Sequence, residues 1–313
     1  MDKLDLLKKV KEIYLNGGNI IQYLKDLDGR EYNSIEDILI SYDFQSGSYL
    51  KEYTRKLQFI RDYCSALGQI INGYGPYRSI MEVGVGEGMT IGTLMDFIKH
   101  PKEKFGFDIS WSRLKFAQDF LRDINCKGVR LFTANLFEIP LKDNSIDIVY
   151  TSHSIEPNGG QEKAALEELY RVTNKYLILL EPAYEFASEE ARKRMKQHGY
   201  ITDLYSTAVT LGYKILEHRL FDYSSNPLNP TGLMVIEKIP TAEDNHYTSL
   251  VCPVTKTVLR EYYKSILFSP ESFLAYPILQ NIPCLTRDNA IIASHFLTSY
   301  EEFKKTNKLD FKE

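Results

Sequence analysis

Three glycines at alternate positions, Gly84, Gly86 and Gly88 in Met81-Glu82-Val83-Gly84-Val85-Gly86-Glu87-Gly88, follow an apolar run and open a helical stretch. Glycines between a strand and a helix let the backbone turn tightly and approach a ligand with no Cβ in the way. The spacing is G-x-G-x-G, not the G-x-G-x-x-G of dinucleotide enzymes. In either arrangement an acidic residue about 20 residues on should end the second strand and bind ribose hydroxyls. Asp108 stands there, closing Phe105-Gly106-Phe107-Asp108.

Around this turn the chain alternates short apolar runs with helical stretches. Ser79 to Val83 reads as a strand, followed by a helix through Lys99. Phe105 to Asp108, Val129 to Thr133, Ile146 to Thr151 and Tyr176 to Glu181 read as further strands, with helices over Ser110 to Ile124 and Gln161 to Thr173. Such alternation predicts an α/β fold with a mostly parallel sheet covered on both faces. Tyr213 to Phe221 and Leu233 to Ile239, separated by a loop rich in Pro and Asn, read as a closing antiparallel pair.

Residues 1–76 read as helical, with Leu4, Leu7 and Val10, then Leu57, Ile60, Tyr63 and Leu67, at spacings of three and four. The turn cluster Asn72-Gly73-Tyr74-Gly75-Pro76 closes that region. Beyond Pro240 a polar linker, Thr241-Ala242-Glu243-Asp244-Asn245, leads to a short last region. The expected division is therefore a helical cap over 1–76, a central domain over 77–240 and a small module over 246–313.

Lys+Arg 38 against Asp+Glu 42 leaves a net charge of −4, which excludes a strongly basic nucleic-acid binder acting through its overall field. No run approaches the ~18 to 20 apolar residues of a membrane span. Met1-Asp2-Lys3-Leu4-Asp5 is no signal peptide, and Cys64, Cys126, Cys252 and Cys284 lie too far apart for a disulfide framework, so a cytoplasmic location is expected. Nine of the 22 tyrosines precede Arg78. Tyrosine adds flat apolar area with a polar tip, which suits a pocket wall as well as a core.

Glu82 to Gly88 followed by Asp108 resembles the first two motifs of class I S-adenosylmethionine-dependent methyltransferases. Ala134-Asn135-Leu136-Phe137-Glu138-Ile139-Pro140-Leu141-Lys142-Asp143-Asn144-Ser145-Ile146-Asp147 is similar to the family's D-A-x-x-L-P-F-x-D-x-S-F-D signature. The resemblance implies a Rossmann-like methyltransferase sheet, mostly parallel with a closing antiparallel strand, carrying a helical cap and a small C-terminal α+β module. It also implies S-adenosylmethionine as cofactor. Gly84 and Gly86, with Gly88, would pass beneath its methionine and ribose portions, Glu82 would act through the turn, and Asp108 would grip both ribose hydroxyls. Ile109 would pack on the adenine, with Asn135 and Leu136 at its edge and Ser152 beside the cofactor. Asn135 replaces the family's Asp, and its amide oxygen can accept the same hydrogen bond. The segment Ser41 to Tyr49 resembles the family's tyrosine-containing lead-in, which implies that Tyr42, Gln45 and Tyr49 close the cofactor site; simple helix packing is the alternative.

Ligands of an open α/β sheet lie beyond the carboxyl ends of its strands, so the loop Thr151 to Gly160 faces the methyl group. His153 is the candidate base, its ordinary pKa being near 6.5. Glu156 is placed either to orient it or to bind substrate. Asn158, Glu181 and Tyr184 are candidate substrate contacts, while the charged stretch Ser188 to His198, with Arg192 and Arg194, reads as a solvated helix face. There is no N-P-P-Y-like segment, no cysteine placed to attack a pyrimidine and no acidic pair for a metal, which leaves oxygen methylation of a small polar or carbohydrate acceptor in glycan or natural-product assembly. RNA methylation and a non-catalytic cofactor-binding or scaffold role are the rival readings.

Leu250-Val251-Cys252-Pro253-Val254-Thr255 and Leu274-Ala275-Tyr276-Pro277-Ile278 resemble the small zinc-ribbon-like activator proteins of methyltransferases. Thr255 and Ser269 stand where that family has zinc-binding cysteines. Tetrahedral zinc needs four N or S ligands, so the module is expected to fold without metal, with Cys284 as a core residue. Relatives of the module partner RNA methyltransferases, which keeps nucleic acid open as a partner; packing on the catalytic domain or homodimerisation is the alternative.

Overall fold

The computed structural model describes residues 3–239 and 248–307. The polar linker read at Thr241 to Asn245 and the last residue of the charged tail, Lys308, lie outside the described residues. Four helices come first: α1 (Leu7–Leu15), α2 (Ile20–Leu27), α3 (Ile35–Phe44) and α4 (Ser48–Gly73). A reciprocal cap starts α3. Ser34 Oγ accepts from the N–H of Asp37 at 3.1 Å, and the Asp37 carboxylate accepts from the N–H of Ser34 at 2.9 Å. Val10, Ile20, Leu24 and Ile40 give α1 to α3 a small core of their own.

The next elements are β1 (Ser79–Val83), α5 (Met89–Leu94), β2 (Glu103–Asp108), α6 (Trp111–Asp123), β3 (Val129–Thr133), β4 (Ile146–Ser152), α7 (Glu162–Val172), β5 (Thr173–Pro182), α8 (Glu189–His198), α9 (Leu204–Thr210), β6 (Lys214–Leu220) and β7 (Thr231–Glu237). They build a seven-stranded sheet in the order β3-β2-β1-β4-β5-β7-β6. The first five are parallel, and β7 runs antiparallel to both β5 and β6. The helix expected to reach Lys99 stops at Leu94. Asn72 of α4 takes over the backbone there, donating to the carbonyl of Phe97 at 2.8 Å and accepting from the N–H of Lys99 at 3.0 Å. Those bonds satisfy the chain without a further helical turn.

Side chains alternate across a strand, so neighbours such as Ile80 and Met81, Ile148 and Val149, or Ile178 and Leu179 enter opposite cores. On one face Met81, Val149 and Leu179 meet Ala165, Leu166 and Leu169 of α7. On the other, Ile80, Ile148 and Ile178 meet Tyr63, Cys64, Leu67 and Ile71 of α4 and Ile91 and Leu94 of α5. The boundary read at residue 76 thus falls between a helix and a strand that share one core.

The C-terminal region forms a second, antiparallel sheet from β8 (Arg260–Tyr262), β9 (Ile266–Ser269), β10 (Leu274–Leu279), β11 (Ile282–Pro283) and β12 (Ile291–Ile292), followed by α10 (Tyr300–Asn307). It covers the β3 edge of the large sheet. Leu285 N–H donates to the Thr133 carbonyl at 3.1 Å, and Cys252, Leu259, Tyr276 and Leu285 join the core that holds Phe107 and Phe132. An edge strand presents unpaired backbone groups, and covering it removes them from solvent. Cys252, Thr255 and Ser269 lie in one hydroxyl-rich network. Cys252 Sγ lies 3.3 Å from the Tyr276 hydroxyl, and Thr257 Oγ1 bridges Thr255 Oγ1 and Ser269 Oγ at 2.8 Å each. Cys284 is buried. Among the described residues no helix is long and apolar enough to cross a membrane.

Candidate active site

At the carboxyl end of the parallel strands lies a cavity of about 450 Å3. The glycine-rich turn forms its floor. At Gly84 the backbone has φ of 66°, and a Cβ there would sit 2.3 Å from Ser154 Cβ, so only glycine lets the turn meet the loop after β4. At Gly86 φ is 53°, and a Cβ there would meet the Arg113 guanidinium at 3.5 Å, an ordinary contact distance. Asp108 ends β2 beside this turn, accepting from the N–H of Gly86 at 3.0 Å and of Ser110 at 2.9 Å. Burial raises the Asp108 pKa against the opposing pull of Arg113 and those N–H donors.

Two carboxylates clamp the helical cap onto this end. Glu87 accepts from the N–H groups of Gly47 and Leu50, holding the start of α4. Asp43, near the end of α3, accepts from Ser110 Oγ at 2.7 Å and from Ser112 Oγ at 3.0 Å, holding the start of α6. Arg113 then lies over the rings of Tyr42 and Tyr49, 4.9 and 4.7 Å from their centroids.

A histidine–carboxylate pair stands on the other side of the cavity. His153 adopts a left-handed φ of 56°, unusual for a residue with a Cβ and a recurring feature of functional sites. Its Nδ1 lies 2.6 Å from Glu156 Oε2 and its Nε2 lies 2.8 Å from Thr231 Oγ1. Burial alone would lower the imidazole pKa, but the hydrogen bond and charge of Glu156, with Glu181 behind it, raise it above its ordinary value. Burial would raise Glu156, and it is outweighed by His153, Asn229 and Tyr200, which hold the carboxylate below its usual range. An ionised Glu156 fixes the proton on Nδ1 and leaves the Nε2 lone pair to accept.

Beneath this pair Glu181 accepts from three successive N–H groups, Ser154 at 3.0 Å, Ile155 at 3.1 Å and Glu156 at 3.1 Å. Burial pushes its carboxyl up to about 7. Glu82 is likewise pushed up to about 8 by burial, although it accepts from the Tyr150 hydroxyl at 3.0 Å.

Of the residues singled out by sequence, Tyr42, Tyr49, Glu82, Gly84, Gly86, Asp108, Ile109, Asn135, Leu136, Ser152, His153, Glu156 and Asn158 line the cavity together. Asn135 Oδ1 accepts from the N–H of Phe137 at 3.1 Å, and the Asn158 amide is bonded to the Ile155 carbonyl at 3.1 Å. Four others stand outside the lining. Gln45 donates to Ser41 Oγ at 2.8 Å at the end of α3. Gly88 lets α5 pack against Ala117, which a Cβ would approach to 3.1 Å. Glu181 is occupied with the loop, and Tyr184 lies beneath Arg192 and Lys196, its ring packed on the Ala187 cluster. Sequence reasoning passed over Arg113, Thr231, Asn229 and Tyr200, and it read Arg194 as part of a solvated helix face; all five line the cavity, and Arg194 Nη1 is buried. Only Arg113 left a trace in sequence, five residues after the strand-end Asp108.

Residues 81–179 match the profile of a family described as a methyltransferase domain. No curated protein matches the chain in sequence. Solved structures similar to it include magnesium protoporphyrin IX methyltransferase from Synechocystis PCC 6803 with bound SAH, 15% identical over 64% of this chain and 98% of that one, with a TM-score of 0.48. Another is a SAM-dependent methyltransferase from Aquifex aeolicus, 17% identical over 54% of this chain and 87% of that one, with a TM-score of 0.42.

Proposed function

We propose that the class I S-adenosylmethionine-dependent methyltransferase domain carried by this chain delivers its methyl group to an oxygen of a small polar acceptor, a carbohydrate hydroxyl foremost. The observation that carries this reading is the His153–Glu156 pair opening into the same cavity as Asp108 and the glycine-rich turn.

The chain's residues fit the cofactor. Asp108 has a lone pair left on each oxygen for the ribose hydroxyls, and Tyr42, Tyr49 and Arg113 close over that end. S-adenosylmethionine supplies an activated methyl carbon on a sulfonium. The protein's part is then to align an acceptor hydroxyl with that carbon and to remove its proton. Glu156 holds His153 with Nε2 free to accept, and an acceptor hydroxyl displaces that of Thr231 from it. The proton passes to Nε2, and the imidazolium so formed is stabilised by Glu156. Glu181 positions both residues through the three N–H groups of their loop. The cavity must hold cofactor and acceptor together, and about 450 Å3 favours a small acceptor over a macromolecular one.

The test follows a radiolabelled methyl group from S-adenosylmethionine into RNA, protein, and small molecules with glycans from the source cells, with Asp108→Ala as the blank. Label in the small-molecule and glycan fraction is expected. Label confined to RNA or protein contradicts the reading.

A further inference from the structure

Two residues that line the cavity each carry a buried polar atom with no hydrogen-bond partner among the described residues: Arg194 Nη1 and Asn229 Oδ1. Each is constrained by what its side chain already does. Asn229 donates its Nδ2 to Glu156 Oε2 at 3.0 Å, and since a carboxylate can only accept, the amide orientation is fixed with Oδ1 left over. Arg194, on α8, has its guanidinium 5.8 Å from the centre of the Tyr200 ring, and Tyr200 stands close enough to Glu156 to help hold its carboxylate below the usual range. No carboxylate pairs with the guanidinium among the described residues. Arg113, the other guanidinium lining the cavity, sits beside Asp108 between Tyr42 and Tyr49.

A partly buried cation without a counter-charge costs free energy, and a fixed buried acceptor atom without a donor adds to that cost. A ligand carrying an anion and a hydroxyl relieves both. We propose that Arg194 and Asn229 form the acceptor-recognition subsite: Arg194 binds a carboxylate on the acceptor, and Asn229 Oδ1 accepts from a neighbouring hydroxyl. The acceptor class is then a polyhydroxy acid of the sugar-acid type. This rests on the methyl-transfer reading above and names its substrate class. A guanidinium fork matches a carboxylate in two parallel hydrogen bonds. A phosphate dianion is the poorer match, because one cation would face two charges a short way from the ionised Glu156.

The test has two arms. In the first, the holoenzyme transfers labelled methyl from S-adenosylmethionine to a small-molecule extract of the source cells, and the labelled product is run on an anion exchanger. A carboxylate product is retained at pH 7 and released at pH 2, where the acid is protonated. A product retained at both pH values carries phosphate, a product not retained at pH 7 is neutral or cationic, and either overturns the proposal while leaving methyl transfer to a small molecule standing. An extract that takes up no label overturns both. In the second arm, Arg194→Ala is expected to lose about 10- to 100-fold of labelling at limiting extract. The loss should shrink as the extract is concentrated, the signature of a raised KM with kcat spared. S-adenosylhomocysteine affinity, measured by calorimetry, is expected to stay unchanged and also reports correct folding. A fall in that affinity would place Arg194 on the cofactor's own carboxylate and overturn the assignment.

Discussion

The carboxylate of Glu87 receives the backbone N–H of Leu50 at 2.8 Å, and that of Gly47 at 2.9 Å beside it. A residue of the glycine-rich turn therefore caps the helix that carries Tyr49, and cap and cofactor end become one unit. Removing a cap of this kind costs about 1 to 2 kcal/mol. Glu87→Ala should lower stability in urea by that amount and weaken S-adenosylmethionine binding. Hydrogen exchange at the amides of Gly47 and Leu50 should quicken before that of α4's buried turns. Unchanged exchange there would show that the contact does not hold the cap.

Asp108 is assigned to the ribose. Two charge-assisted hydrogen bonds at about 1.5 to 3 kcal/mol each predict that Asp108→Ala weakens cofactor affinity by at least ~10²-fold in titration calorimetry. Affinity equal to that of the wild type would remove Asp108 from the cofactor site.

His153 acts as base only when neutral. Its pKa is raised by Glu156 against the lowering effect of burial, so kcat/KM should fall as pH drops through a value above 6.5. Glu156→Gln removes the raising charge, leaves burial to dominate, and moves that acid limb to lower pH while reducing the rate. His153→Ala should cost ~10²- to 10⁴-fold in kcat and spare cofactor affinity. A limb that stays in place in Glu156→Gln belongs to another group.

Glu82 is favoured in its neutral form by burial, with a folded pKa of about 8 against 4.5 ordinarily. Its contribution to stability is complete below 4.5 and is lost as pH rises through about 8. Glu82→Gln keeps an acceptor for the Tyr150 hydroxyl and carries no charge. Between pH 5 and 8.5 the wild type should therefore lose more unfolding free energy than Glu82→Gln does. Parallel losses would mean the carboxyl is ionised throughout.

The central strands were legible because parallel strands buried on both faces read as unbroken apolar runs, as Tyr176 to Leu180 does. The end of α5 was not, because a side chain from another helix, Asn72, replaces the helical bonds there. The cofactor end of the cavity was legible for a related reason: Gly84, Gly86 and Asp108 lie at strand ends whose positions the pattern fixes. The acceptor end draws on Thr231 and Asn229, brought in by the last strand pair, and on Arg194 from a helix whose charge pattern reads as solvent-facing. Glu181 sits at a strand end as expected, yet three loop N–H groups claim it. Those groups converge on it in a loop that begins with the left-handed turn at His153, and no local sequence signal encodes that.

The central claim is methyl transfer to oxygen from the His153 side of the cavity. Its most direct test uses S-adenosylmethionine carrying a carbon-13 methyl group, with the product formed from a source-cell extract read by carbon NMR. The account predicts a new resonance in the O-methyl range, formed by the wild type and lost in both Asp108→Ala and His153→Ala. A methyl resonance on nitrogen or carbon, or an O-methyl signal of undiminished rate in His153→Ala, would contradict it.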